Sequence, residues 1–140
     1  MFTHILVPLD LSTKNARALA VALEMARRDH ARVTLLHVIE RIEHIPLGEM
    51  QGFYRRLEMH ARRRLGLAAR RLATKGVEVE PVVLIGAPAR DIVRHATANK
   101  VDLIVMSSHA ITSLARPGYG LGTTSYKVGI LCRCPIMLVK

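Results

Sequence analysis

Five short apolar runs recur along the 140 residues, and they constrain the fold more than any other feature of the sequence. The runs are HILVPLD from His4, RVTLLHVIE from Arg32, VEVEPVVLIG from Val77, VDLIVMSSH from Val101 and PIMLVK from Pro135. The third alternates with polar residues only at its start. Strands without alternating polar positions are typical of parallel sheets, which are covered on both faces. The runs therefore predict five buried strands.

Segments with helical periodicity separate these runs. The first follows Ser12 or Thr13, either of which suits an N-cap, and the second ends at Gly76, in the position favoured for a C-terminal cap. Pro88 lies in the first turn of the third, and TTSYKVGILCRC predicts a fourth helix. We expect the following residues of the first helix to face inward: Ala16, Leu19, Ala20, Leu23 and Ala26. The alternation predicts one α/β domain over residues 1–140, with a doubly wound five-stranded parallel sheet.

The formal net charge of +10 is the unusual bulk property, and much of it lies in the second helical segment, FYRRLEMHARRRLGLAARRLATK. A helix there places these apolar residues on one face: Phe53, Leu57, Ala61, Leu65, Ala68 and Leu72. The opposite face then carries these arginines: Arg55, Arg56, Arg62, Arg63 and Arg70. Such a stripe suits an acidic partner or nucleic acid, whereas a solvated outer face needs no partner. The lack of interleaved aromatic residues and of a nucleic-acid motif favours the solvated face.

Several classes of protein are disfavoured by composition. No apolar stretch approaches the roughly 18 residues of a membrane span, and Pro8 and Asp10 interrupt the N-terminal run before a signal-peptide core forms. We therefore expect a cytoplasmic protein that makes no membrane contact. Cys132 and Cys134 are expected to be reduced thiols, at least one of them buried, because two thiols do not complete a tetrahedral metal site.

Five segments together resemble one known family. ILVPLDLS, VTLLHVIE, GAPARDIVRHA, VDLIVMSSH and GTTSYKVGILCRCPIMLV are similar, in order and spacing, to the universal stress proteins, over nearly the whole chain. The resemblance implies a flavodoxin-like or Rossmann-like sheet of the adenine nucleotide alpha hydrolase type. It also implies a role in stress response and a homodimer whose last strands, here residues 135–139, pair across a two-fold axis.

The loop after the fourth strand separates the members of this family. Those that bind ATP resemble the pattern G-x-x-G, nine residues, then G followed by Ser or Thr. In this sequence Ser107 and Ala110 stand at the first two glycine positions, and Gly122 and Thr123 match the closing pair. Eleven residues, 111 to 121, lie between. A Cβ at the first two positions adds roughly 1 kcal/mol of strain if the backbone there needs a positive φ.

The second half of this loop is intact. Gly122, Thr123 and Thr124 open the final helix, where backbone N–H groups favour an anion. In one interpretation Arg116 contacts a phosphate while Gly118 and Gly120 free the backbone, so that the loop from Gly118 to Gly122 compensates for the missing motif glycines. In the other interpretation these glycines form a simple surface turn.

The resemblance also implies cofactor-binding residues outside the loop. Pro8 shapes the end of the first strand, and Asp10 matches the acid that accepts a hydrogen bond from adenine or ribose in nucleotide-binding relatives. Val38 and Met106 match apolar positions that line the base. The implied cofactor is ATP, with or without a divalent cation. In the alternative interpretation Asp10 caps the first helix and the two apolar residues belong to the core.

Candidate catalytic residues are few. His37 lies in an apolar strand, as a core or cleft-edge residue, and His109 lies in the loop after the fourth strand, where open α/β sheets place ligands. Neither a carboxylate pair nor a metal-ligand motif accompanies them, so we predict that the protein is not an enzyme. Slow ATP hydrolysis would need a bound metal and Asp10. The favoured function is that of a stress-response protein acting through protein partners, and the alternative is an ATP-binding member of the same family.

Overall fold

A computed structural model describes residues 1–108 and 123–140 and contains one parallel sheet. Its strands are β1 (His4–Pro8), β2 (Arg32–Glu40), β3 (Val79–Gly86), β4 (Leu103–Ser107) and β5 (Ile136–Val139). Their order is β3-β2-β1-β4-β5, and every neighbouring pair is parallel. The predicted doubly wound α/β fold is confirmed. The expectation of five buried strands is wrong for β3 and β5, which stand at the edges of the sheet and are only partly buried. The apolar composition of a strand does not reveal whether it stands at an edge.

Four helices connect the strands in the described part of the chain: α1 (Ala16–Asp29), α2 (Gln51–Ala73), α3 (Pro88–Ala98) and α4 (Thr124–Leu131). The Ser12 hydroxyl accepts a hydrogen bond from the amide of Lys14 and so caps the short 3-10 turn that leads into α1. Thr123 caps α4 by accepting from the amide of Tyr126 at 3.3 Å. Gly76 follows α2 with a φ of 85°, a conformation that a residue without Cβ adopts freely.

The helices cover both faces of the sheet. Alternate residues of β1 point to opposite faces, so that Ile5 and Val7 pack with α1 and α2, whereas Leu6 packs with α3 and α4. The contacting helix residues are Ala18, Ala22, Leu65 and Leu72 on the first face and Ile92, Ala96 and Val128 on the second. Burial of these two apolar layers is the main source of stability. It also leaves the strand ends as the places where polar side chains meet.

The predicted faces of α1 and α2 need correction. Ala26 is buried as predicted, and Leu19 and Leu23 are half-buried against the core. Ala16 and Ala20 are exposed, whereas Ala18 and Ala22 are buried in their place. Because alanine occupies so many positions of this helix, its spacing does not fix which face turns inward. In α2, Ala61, Leu65 and Leu72 are buried as predicted, but Phe53 is 38% exposed.

Tyr54 takes the inward position next to Phe53. Its side chain is only 3% exposed, and its hydroxyl oxygen accepts a hydrogen bond from the amide of Ile42 at 2.7 Å. The phenol thus satisfies a backbone donor of the preceding loop, which a phenylalanine does not do.

Two further sequence expectations concern thiols and membranes. Cys132 and Cys134 are free, and both are half-buried, so the expectation that at least one is fully buried is wrong. The Cys132 thiol donates to the carbonyl oxygen of Cys134 at 3.3 Å. Among the residues with described structure, no helix combines the length and the apolar character that a membrane crossing requires.

Candidate functional site

A cleft of about 570 Å³ opens at the carboxyl edge of the sheet, between the ends of β1, β2 and β4 and the start of α4. Open α/β sheets bind ligands at this edge. Seven of the residues that sequence reasoning assigned to a cofactor line the cleft: Pro8, Asp10, Val38, Met106, Ser107, Thr123 and Thr124. Ala110 and Gly122, together with His109 and Arg116, lie outside the described residues.

Asp10 is held by the turn that follows β1. Its Oδ1 accepts hydrogen bonds from the amide of Ser12 at 2.9 Å and from the side-chain amide of Asn15. Partial burial pushes the pKa of Asp10 upward, but the hydrogen bonds from Ser12 and Asn15 outweigh it and leave the pKa below its ordinary value. The carboxylate is therefore ionised, and Oδ2 accepts no hydrogen bond from any described residue. This oxygen is available as an acceptor.

Asn15 connects the ends of β1 and β4. It is only 6% exposed, and its Nδ2 donates to Asp10 and, at 3.1 Å, to the carbonyl oxygen of Ser12. The Ser107 hydroxyl donates to Asn15 Oδ1 at 3.1 Å. The serine at the first motif-glycine position thus ties β4 to the turn after β1. Sequence reasoning missed Asn15, although a buried amide beside a polar turn is the kind of residue that links strand ends.

The floor of the cleft is apolar. Val38 and Met106 are 8% and 6% exposed and pack in one cluster with Ile92. His37 lies beside them, half-buried, with Nδ1 at 2.7 Å from the carbonyl oxygen of Leu9. A carbonyl oxygen only accepts, so Nδ1 carries the proton and Nε2 of the neutral ring is an acceptor. The cleft-edge interpretation of His37 matches its position.

Positive charge accumulates at the cleft. Lys14 and Lys140 line it, and the Lys140 ammonium donates to the Ser108 hydroxyl at 3.4 Å. The first turn of α4, capped by Thr123, adds backbone N–H groups and the positive end of the helix dipole. Sequence reasoning missed both lysines, because they lie far apart along the chain and belong to no motif. Within residues 1–108 and 123–140, no three His, Cys, Asp or Glu side chains form a group that holds a metal ion.

The lining therefore combines three properties. Apolar side chains form a floor for a flat ring, an ionised carboxylate accepts from hydroxyl or amino groups, and cationic groups attract an anion. The cleft suits a small molecule that carries a ring, hydroxyl groups and a negative charge.

Comparisons with known proteins give a consistent result. The model of the universal stress protein family matches residues 1–140. The universal stress protein YxiE of Bacillus subtilis is 31% identical over 150 residues, covering 100% of both chains. A universal stress protein of Thermus aquaticus is 34% identical over 141 residues, again covering 100% of both. The structure of UspA from Lactobacillus plantarum superposes with a TM-score of 0.81 at 25% identity, over 99% of this chain and 98% of that one. The chain belongs to the universal stress protein family.

Proposed function

We propose that this universal stress protein is a ligand-sensing module whose cleft binds an adenine nucleotide. The observation that carries the proposal is the convergence of an ionised carboxylate, an apolar floor and two lysines on one cleft of about 570 Å³. Ligand pockets for small molecules and cofactors have volumes of about 300–1,000 Å³. The ribose hydroxyls would donate to Asp10 Oδ2, and the base would lie on Val38 and Met106.

Two solved relatives suggest which phosphate chains to test first. One universal stress protein was crystallised with cAMP, at a TM-score of 0.72 and 22% identity, and one from Archaeoglobus fulgidus with dAMP, at 0.72 and 21%. Both ligands carry a single phosphate. Because Ser107 replaces a motif glycine here, we propose that AMP and cAMP bind at least as tightly as ATP.

We further propose that the cleft binds its ligand without turning it over. A general base works best when its pKa lies near the working pH. The hydrogen bonds to Asp10 hold its pKa below the ordinary range, despite the opposing effect of partial burial. This favours a role for Asp10 as a fixed acceptor. Product analysis after prolonged incubation with ATP and Mg²⁺ tests this, since release of ADP or AMP would refute it.

Calorimetric titration with AMP, cAMP and ATP, each with and without Mg²⁺, tests the binding proposal. Asp10→Asn keeps an oxygen for Ser12 and Asn15 but places an NH₂ where Oδ2 would accept from the ribose, so we expect at least tenfold weaker binding. Glu58→Gln on α2 is the matched carboxylate-to-amide control and should bind as the parent does. Absence of heat at millimolar ligand, or equal affinity of both variants, would refute the proposal.

A second candidate function is assembly through β5. This strand stands at the edge of the sheet, and Met137 and Leu138 on it are 37% and 40% exposed. Ile130 and Leu131 of α4 are 62% and 57% exposed. An apolar edge strand is a natural pairing site for a second copy. We propose a homodimer through residues 135–139, and light scattering of Met137→Lys together with Ile130→Lys should then show a monomer.

A further inference from the structure

We propose that the outer face of α2 binds the phosphate backbones of double-stranded nucleic acid without reading its sequence. The helix carries seven arginines, all of them exposed, and we call them the arginine face: Arg55, Arg56, Arg62, Arg63, Arg64, Arg70 and Arg71. The arginine face belongs to a helix that packs on one face of the sheet, whereas the nucleotide cleft lies at the sheet's carboxyl edge. The proposal is therefore independent of the one above.

The arginine face has a defined geometry. At about 100° per residue, Arg56, Arg63 and Arg70 form a crest directly opposite the buried Leu65 and Leu72. Successive crest residues are seven positions apart, or about 10.5 Å along the helix axis. The other arginines form two flanks about 90° on either side of the crest, Arg55 with Arg62 and Arg64 with Arg71.

The positive charge of this face is almost uncompensated. Glu58 is the single acidic residue of α2, and its Oε1 lies 2.7 Å from a terminal nitrogen of Arg62. None of the other six arginines forms an ion pair with a side chain in the described ranges 1–108 and 123–140. Clustered like charges repel each other and gather counter-ions. A polyanion that displaces those ions gains free energy, which is the main source of sequence-independent affinity for nucleic acids.

The two flanks favour a duplex over other polyanions. An α-helix with its side chains is about 10–12 Å wide, and the major groove of DNA is about 12 Å wide. When α2 lies in the groove with the crest arginines facing the floor, the two flanks face the phosphates of the two strands. A flat membrane would meet the crest alone, and the exposed Met59 and Leu67 offer it little apolar area.

Single strands are disfavoured for a different reason. Proteins that bind them stack bases on exposed aromatic side chains. Phe53 and Tyr54 are the two aromatic residues of α2; Tyr54 is buried, and the ring of Phe53 rests edge-on against it, with 5.6 Å between centroids. Phe53 is 38% exposed but is the single partly open ring among these two, so the arginine face offers no row of rings on which successive bases can stack.

Fluorescence anisotropy with a labelled DNA duplex of about 20 base pairs tests the proposal across a range of salt concentrations. The test variant is Arg56→Gln, Arg63→Gln and Arg70→Gln. The control is Arg27→Gln, Lys127→Gln and Arg133→Gln, which removes three exposed positive charges elsewhere. The control variant therefore has the same net charge as the test variant. Both triple variants should retain the parent's circular dichroism spectrum, since glutamine is a good helix former.

We expect the test variant to bind at least tenfold more weakly than the parent at low salt. The slope of log K against log[salt] should fall by about 2.7, at about 0.9 per lost phosphate contact. The control should stay within about threefold, because its charges lie off the arginine face. Three results would overturn the proposal: no duplex binding by the parent at low salt, equal losses in both variants, or binding that depends on the arginine face but prefers phosphatidylserine vesicles or a single strand to the duplex.

Discussion

The two edges of the sheet use their polar residues in opposite ways. At the amino edge, Asp102 Oδ2 accepts from the amide and hydroxyl of Thr3, at 2.8 and 2.9 Å, and Oδ1 accepts from the amide of His4 at 3.0 Å. His4 is buried, with Nδ1 at 3.0 Å from the Asn99 carbonyl oxygen and Nε2 at 2.8 Å from the Thr34 hydroxyl. The side chains of Asp102 and His4 thus have all of their hydrogen bonds within the protein.

At the carboxyl edge, partners within the protein are fewer. Asp10 uses one carboxylate oxygen in hydrogen bonds to described residues, and the His37 ring uses one nitrogen, Nδ1. Polar residues at strand ends stabilise the fold where all of their hydrogen bonds are made within the protein. They are available to a ligand where a donor or acceptor is left without such a bond. Polar groups with every bond made in the fold have little to offer a ligand.

The largest expected effect on stability is the difference between two aspartate-to-asparagine variants, one at each edge of the sheet. Asp102→Asn must direct an NH₂ group at the amide of either His4 or Thr3, because both carboxylate oxygens accept hydrogen bonds. We expect the free energy of unfolding to fall by about 2 kcal/mol. Asp10→Asn retains an oxygen in the place of Oδ1, so we expect a loss below about 0.5 kcal/mol. Urea denaturation measures the free energy of unfolding of both variants. Equal losses would contradict the distinction between the two edges.

Gly86 shows that part of the carboxyl edge is closely packed. A Cβ there would overlap Asp91 Oδ2, the atom that accepts from the amide of Ala87 at 2.8 Å. Gly86→Ala should displace this carboxylate and lower the free energy of unfolding by about 1–2 kcal/mol. Gly66→Ala is the control, since nothing lies within 4 Å of its added Cβ and alanine favours the interior of α2. The control should be neutral or stabilising; similar losses in both would contradict the packing argument.

Acidification should affect the amino edge first. Burial lowers the pKa of His4 below 6.5, against the raising effect of the hydrogen bond with Asn99, and burial also lowers the pKa of His95. The unfolded chain therefore takes up protons before the folded chain does. The stabilisation is complete above pH 6.5 and declines as the pH falls below that value.

We expect the free energy of unfolding to fall between pH 7 and pH 5, a window above the titration of ordinary carboxylates. Urea denaturation at several pH values measures this drop. His4→Gln, which keeps a donor and an acceptor, should flatten the dependence. An unchanged pH dependence in this variant would show that His4 does not carry it.

Ser107→Gly has the smallest expected effect on stability. It removes the hydroxyl that donates to Asn15 and restores the motif glycine at the end of β4. We expect a loss of about 0.5–1 kcal/mol, from one hydrogen bond and the added backbone freedom. Affinity for ATP should rise relative to affinity for AMP in calorimetric titrations. Gly66→Ala on α2, away from the cleft, is the control and should leave this ratio unchanged.

The sequence predicted the strands and helices more accurately than it predicted which faces of the helices are buried. The boundaries of β2 were predicted to the residue, because RVTLLHVIE is bounded by charged residues on both sides. The cap at Thr123 and the turn at Gly76 followed from local residue chemistry. The inward face of α1 was predicted only in part, with Ala16 and Ala20 in place of Ala18 and Ala22, because alanine is small enough to fit either side of that helix. The choice of Phe53 over Tyr54 failed because the hydroxyl's partner, the amide of Ile42, lies in another segment.

Local residue patterns are enough to predict the alternation of strands and helices, the two apolar layers and the run of arginines on α2, because periodicity and capping depend on residues a few positions apart. The construction of the candidate site depends instead on contacts between distant parts of the chain. The hydrogen bond between Ser107 and Asn15 joins residues 92 positions apart. Lys14 and Lys140 line one cleft only because the sheet brings the ends of β1 and β5 to the two sides of β4. Contacts of that range depend on the order of strands in the sheet, which no local pattern encodes.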